Sequence, residues 1–147
     1  MPSRARTVVV ERVPDFPELP LPGRATRGSA CFDLAAAEAT VLSRGRVTLV
    51  RTGLTMRCPA GTFLEVRPRS GLSTKGVLMA NAPGTIDRDY AGEIRVPLTY
   101  LFAGAYPIAA GDRIAQVRLV EDLPTRFAPG RVRWTGARKG GFGSTGR

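Results

Sequence analysis

Apolar residues in this chain fall in short runs divided by turn signals, and no long segment keeps a helical period. Residues 7–12 (Thr-Val-Val-Val-Glu-Arg) are rich in β-branched side chains and predict a first strand. Further strands are predicted over 32–36, 46–56, 62–67, 94–102, 113–120 and 131–134, where branched or aromatic residues alternate roughly with polar ones. Between these runs stand Pro20-Leu21-Pro22-Gly23, Pro59-Ala60-Gly61, Ala82-Pro83-Gly84, Ala110-Gly111-Asp112 and Pro129-Gly130, all of them turn sequences. Only residues 70–75 predict a helical turn, closely bracketed by Gly71 and Gly76. Many short strands at this spacing imply an all-β sandwich, jelly roll or barrel. The Pro-rich stretch 13–22 reads as a rigid connection inside the domain, because strand-like sequence lies on both sides of it.

The far end breaks this pattern. In Lys139-Gly-Gly-Phe-Gly-Ser-Thr-Gly-Arg147, glycines surround a single phenylalanine. Each glycine loses much backbone entropy on ordering and offers no side chain to pack. Residues 1–136 are therefore expected to form one β domain, and 137–147 a mobile segment that orders against a bound partner. A chain of 147 residues fits one domain and buries enough surface to need no disulfide or structural metal.

Composition narrows the chemistry. There is no histidine, which excludes Ser-His, Cys-His and His-metal chemistry within one chain. Lys and Arg number 22 against 12 Asp and Glu, a net charge of +10. All but Lys75 and Lys139 of these bases are arginine, scattered without a long run, so a solvated basic surface is favoured over a nucleic-acid track. The same charge suits a polyanionic small molecule. Cys31 and Cys58 form no CxxC pair and are expected as reduced thiols. The N-terminal apolar run stops at Glu11, and the most apolar stretch, 100–110, contains Gly104 and Pro107. Neither reads as a secretion signal or a membrane span, so a soluble cytoplasmic protein is expected.

Four local features carry candidate chemistry. Pro68-Arg69-Ser70-Gly71 combines a guanidinium, a hydroxyl and a glycine, as a phosphate site would, or makes a structural turn. The stretch 81–90, Asn-Ala-Pro-Gly-Thr-Ile-Asp-Arg-Asp-Tyr, reads as a hairpin whose open backbone groups match the edge of a flat polar ring. Asp87 and Asp89 fall on one side of an extended chain there, with Tyr90 on the other. Such carboxylates bind metal, activate water or simply face solvent. Gly111-Asp112-Arg113-Ile114-Ala115-Gln116 enters a strand and offers an amide donor. The tail could close over a ligand with Phe142 stacked on a ring, or it is a disordered end.

Taken in this order, the segments resemble the five motifs of the trimeric dUTPases. The matching stretches are 25–36, 68–76, 84–94, 111–116 and 140–146, most of the chain. The resemblance implies an all-β, jelly-roll-like distorted barrel that forms a homotrimer, with active sites at subunit junctions and a flexible Gly-rich C-terminal arm. It implies hydrolysis of dUTP to dUMP and pyrophosphate, with Mg²⁺ held mainly by the triphosphate. Asp87 matches the water-activating aspartate, and Asp33 the carboxylate that reaches the metal through water. Arg69, Ser70, Gly71 and Gln116 match phosphate contacts. Asn81, Gly84, Thr85 and Ile86 match the uracil reader, and Arg95 a further nucleotide contact. Tyr90 matches the ring beneath the deoxyribose. Phe142, Gly143, Ser144 and Thr145 match the closing lid.

Two departures stand out. Ala137 occupies the place of the family's arginine before the tail phenylalanine, leaving Arg138 or Lys139 to take that role, and Cys31 replaces a smaller residue. The alternatives are a dCTP deaminase of the same fold, which would need a catalytic glutamate in the Asp87–Tyr90 region, and a non-enzymatic basic sandwich that binds nucleic acid. The resemblance favours dUTP and a second copy of the chain as partners, with no membrane and no dedicated nucleic-acid partner.

Overall fold

The computed structural model describes residues 5–134 and 136. In chain order these residues form β1 (Val9–Arg12), β2 (Phe32–Ala35), β3 (Thr40–Ser43), β4 (Thr48–Arg51), β5 (Leu54–Arg57) and β6 (Thr62–Arg67). There follow α1 (Ser70–Ser73), β7 (Val77–Met79), β8 (Gly84–Ile86), β9 (Arg95–Tyr100), β10 (Ala105–Ile108) and β11 (Arg113–Glu121). Burial alternates along the strands. Thr62, Leu64 and Val66 of β6 point inward, while Phe63, Glu65 and Arg67 point outward.

A four-stranded sheet has the order β2-β11-β6-β8, and a three-stranded sheet the order β4-β9-β7. The pairs β1-β5 and β3-β10 complete the set, and every ladder is antiparallel. Their inner faces meet on a shared apolar core that includes Leu34, Leu42, Val50, Ile94, Leu98, Ile108 and Ile114. The architecture is the all-β, jelly-roll-like distorted barrel. At its centre β11 pairs with β2 on one edge and β6 on the other, so residues far apart in sequence share one outer face.

Several elements differ from the sequence reading. The single run 46–56 is two strands, because Gly53 sits at φ 67° between β4 and β5. A Cβ at that position would run into Leu19 and Phe16. β3, β7 and β10 were not expected. Residues 131–134 make no strand: Val132 and Trp134 are exposed, and no sheet edge of the same chain receives them. The turn at Ala82-Pro83-Gly84 does not close a hairpin. β7 pairs with β9 while β8 pairs with β6, so this turn carries the chain from one sheet to another.

Candidate active site

The first cluster grows from one rung of the four-stranded sheet. Asp33 of β2 stands opposite Gln116 of β11, which stands opposite Arg67 of β6. Beyond β6 the chain turns at Pro68 and enters α1 with Arg69 as its extended N-cap residue. The Arg69 carbonyl accepts from the Leu72 N–H at 3.1 Å and the Ser73 hydroxyl at 3.2 Å, which fixes the turn. Arg69 Nε then meets Asp33 Oδ1 at 3.0 Å, and Arg113 Nη1 meets Asp33 Oδ2 at 3.4 Å. Arg69 Nη1 also donates to the Arg113 carbonyl at 3.1 Å. Gln116 Nε2 donates to the Pro68 carbonyl at 2.9 Å, which orients its amide.

These groups surround a cavity of about 150 Å³ lined by Asp33, Arg69, Ser70, Gly71, Gln116 and Cys31, among others. Two guanidiniums share one carboxylate here, leaving positive charge to spare at its mouth. The Asp33 side chain is only 16% exposed, so the ion pairs are less screened than ordinary surface pairs. The arrangement suits an anion with several oxygens. It suits direct metal ligation poorly. Both Asp33 oxygens already face arginines, and among the described residues no three acidic or thiol groups converge. A metal carried in by a polyanion, and reached by Asp33 alone, is compatible with these donors.

The second cluster surrounds β8. Gly84 is buried against β6, where a Cβ would stand 3.0 Å from Met79 Cε and 3.4 Å from Asn81 Nδ2. A Cβ there would have to push the Met79 side chain aside, and Asn81, Thr85 and Asp87 remain exposed around Gly84. After Ile86 the chain turns instead of staying extended, with the Tyr90 N–H donating to the Asp87 carbonyl at 3.1 Å. The expected alternation of Asp87, Asp89 and Tyr90 across an extended strand therefore does not occur. The Tyr90 hydroxyl donates to the Glu93 carbonyl at 3.0 Å, and Arg95 opens β9 with its guanidinium 3.2 Å from Glu93 Oε2. A wider groove of about 750 Å³ flanks the turn, lined in part by Val9, Met56, Cys58, Arg88 and Tyr90.

One chain does not unite the two clusters. Ile86 pairs with Leu64 near the start of β6 and Asp87 follows it, while Arg69 lies beyond Arg67 at the other end of β6. The strand from Leu64 to Arg67 alone spans roughly 10 Å, and Asp87 and Arg69 lie beyond it at opposite ends. The structure thus gathers Asp33, Arg69, Ser70, Gly71 and Gln116 in one place, and Gly84, Thr85, Ile86, Asp87 and Tyr90 in another. Arg138, Phe142, Gly143, Ser144 and Thr145, together with Lys139, lie outside the described residues.

Sequence reasoning assigned no role to Arg113 or Glu93. Arg113 reaches Asp33 because a bulge between Arg113 and Ala115 shifts the β11–β2 register, a feature with no sequence mark. Glu93 pairs with Arg51, a contact 42 residues away in the chain. Arg51, held by Glu93 first and Asp15 second, has its pKa raised beyond the usual arginine range and stays charged at any working pH.

Comparison with known proteins adds the relatives. The model of the dUTPase family matches residues 18–146. The deoxyuridine 5'-triphosphate nucleotidohydrolase of Anaeromyxobacter sp. (strain Fw109-5) is 45% identical over 153 aligned residues, covering 96% of this chain and 98% of that protein. That of Brucella melitensis biotype 2 (strain ATCC 23457) is 42% identical over 150, covering 98% and 96%. Among solved structures, dUTPase from Streptococcus mutans superposes with a TM-score of 0.73 at 29% identity, covering 80% of this chain and 98% of that one. The dUTPase of Staphylococcus bacteriophage 80alpha with dUpNHpp shares the fold, with a TM-score of 0.80 at 22% identity and coverage of 95% and 98%. So does a mutant dUTPase from phage phi11 of S. aureus, described with a structural Mg(II) ion, at 0.76 and 20%, covering 86% and 97%.

Proposed function

The chain belongs to the dUTPase family, and we infer from that membership and the site geometry how it carries out the family's reaction. It is a dUTP diphosphatase: it hydrolyses dUTP to dUMP and pyrophosphate, which limits uracil in DNA and supplies dUMP for thymidylate synthesis. In our reading Asp87 orients a water and takes its proton as the water attacks the α-phosphorus. Arg69, the Ser70 hydroxyl, the Gly71 backbone and the free N–H of Gln116 bind the phosphate oxygens, where negative charge grows during attack. Asn81 and the backbone from Gly84 to Ile86 read the uracil edge, and their tight approach rejects thymine by crowding its methyl group. Tyr90 lies under the sugar and leaves no room for a 2′-hydroxyl, and Arg95 makes a further nucleotide contact.

Mg²⁺ bound to the triphosphate would neutralise phosphate charge, with Asp33 meeting it through water. Residues 137–147 form the closing segment, in which Phe142 covers the base, Gly143, Ser144 and Thr145 contact the phosphates, and Arg138 grips the outermost one. The enzyme acts as a homotrimer in the cytoplasm.

The observation that carries the reading of a shared site is the separation of Asp87 from Arg69 along β6. Neither cluster can hydrolyse a triphosphate alone, whereas a second copy can bring its Asp87 turn to the Arg69 cavity. Exposed apolar side chains on the β4-β9-β7 sheet and beside it, including Leu49, Leu78 and Leu101, favour such contact between copies. A pyrophosphate-release assay with dUTP, dTTP, dCTP and UTP tests the function. Turnover of dUTP alone is expected, and ammonia release from dCTP would replace this reading with the deaminase one.

A further inference from the structure

The turn between β8 and β9 carries Asp87 and Tyr90 and ends at Arg95; no ladder holds its residues between Ile86 and Arg95, and its backbone is tied to the barrel at Ile94, whose N–H donates to the Leu54 carbonyl at 2.8 Å and whose carbonyl accepts from Thr52. Glu93 anchors it. The Glu93 side chain is 9% exposed, and its oxygens accept from Arg51 Nε at 3.0 and 3.1 Å and from the Gly53 N–H at 2.9 Å. Glu93 Oε2 also accepts from Arg95 Nε at 3.3 Å and lies 3.2 Å from Arg95 Nη2. Its backbone carbonyl holds the Tyr90 hydroxyl. Tyr90 can fold back in this way because residue 92 is glycine; a Cβ there would stand 2.5 Å from the hydroxyl oxygen. Behind Glu93, Arg51 is fixed by Asp15 at 3.1 Å and lies 4.7 Å above the Phe16 ring.

Stability alone does not call for this arrangement. A largely buried ion pair is often no more stabilising than apolar residues of the same volume. What a carboxylate adds is direction: it sets where a guanidinium points, and apolar packing does not. Arg51 faces the protein body and Arg95 faces outward, at 23% and 49% side-chain exposure, and Glu93 joins them.

We propose that Glu93 is a positioning residue for the hydrolytic site, aiming the Arg95 guanidinium through its carboxylate and holding the Tyr90 ring, and with it the Asp87 turn, through its carbonyl. The proposal rests on the active-site reading above and adds to it a group that touches no substrate. Misplacing a reacting group by about 1 Å is enough to cost roughly a hundredfold in rate.

The test is a double-mutant cycle of Glu93→Gln and Arg95→Ala, read as kcat and KM for dUTP well below each variant's melting temperature. Light scattering confirms the assembly of each variant. Glu93→Gln is expected to lower kcat/KM by roughly ten- to a hundredfold in an intact assembly, and to cost much less when Arg95 is already alanine. Tyr90→Phe, which removes the hydroxyl donor, is expected to lower kcat while leaving assembly unchanged. Losses that multiply independently in the cycle, or a Glu93→Gln loss matched by its unfolded fraction, would overturn the proposal. An Asp87→Asn variant run alongside separates the two failures, since undiminished turnover there would sink the site reading itself.

Discussion

Asp87 and Arg69 lie toward opposite ends of the same strand: Asp87 follows Ile86, which pairs with Leu64 near the start of β6, and Arg69 lies past Arg67 where β6 ends. A site that needs both must take them from different copies. Two separately inactive variants should therefore rescue each other. Asp87→Asn and Arg69→Ala chains, unfolded together and refolded as a mixture, are expected to regain about a quarter of wild-type turnover, because each shared site draws its two halves from different chains. Mixtures that stay as inactive as the parents would show that each chain uses its own Asp87 and Arg69.

Asp87→Asn alone isolates the base. Asparagine keeps the volume and cannot accept the water proton, so kcat is expected to fall by about 10²- to 10⁴-fold. The side chain is exposed and makes no ion pair with the described residues, so folding should be unaffected. Nucleotide binding, read by calorimetry with a non-hydrolysable dUTP analogue, should survive. Retained turnover would assign water activation to another group.

The site's residue types were legible in the sequence, but their grouping was not. Arg69, Ser70 and Gln116 could be picked out one by one as candidate phosphate contacts, and β6 was plain from its alternation. The division into two clusters depends on β8 pairing with β6 instead of β7, and no local signal specifies that choice. β10 was hidden by Pro107, which an edge strand tolerates and a central strand does not. β3 and β7 exist through partners distant in sequence, which no local pattern marks. Glu93 was invisible because its meaning lies in Arg51, on β4.

Two glycines should respond differently to the same methyl group. Gly53 combines φ 67° with a Cβ position blocked by Leu19 and Phe16, so Gly53→Ala is expected to destabilise the protein by about 2–4 kcal/mol. At Gly84 the nearest atom is the end of the flexible Met79 side chain, 3.0 Å from the new Cβ. Gly84→Ala is therefore expected to cost about 1 kcal/mol of stability, yet to raise KM for dUTP by disturbing the uracil reader. Denaturant melts at equal protein concentration, with steady-state kinetics, distinguish the two. A larger stability loss at Gly84 would reverse the argument.

Among the described residues the buried apolar core runs from Leu34 to Val117, and the glycine-rich end offers only Phe142 as a large apolar side chain, so stability and closure should separate when that end is cut. Removing residues 139–147 is expected to shift the melting temperature by no more than about 2 °C and to lower turnover by roughly tenfold or more, since a closing segment excludes water and completes the phosphate grip. Where that segment begins, Arg138 and Lys139 compete for the role left open by Ala137. A guanidinium binds phosphate through two parallel donors, where an ammonium acts as a point charge. Arg138→Ala should therefore raise KM for dUTP well above the effect of Lys139→Ala, with little change in affinity for dUMP, which lacks the outer phosphates. A larger penalty at Lys139 would move the grip one residue along the chain.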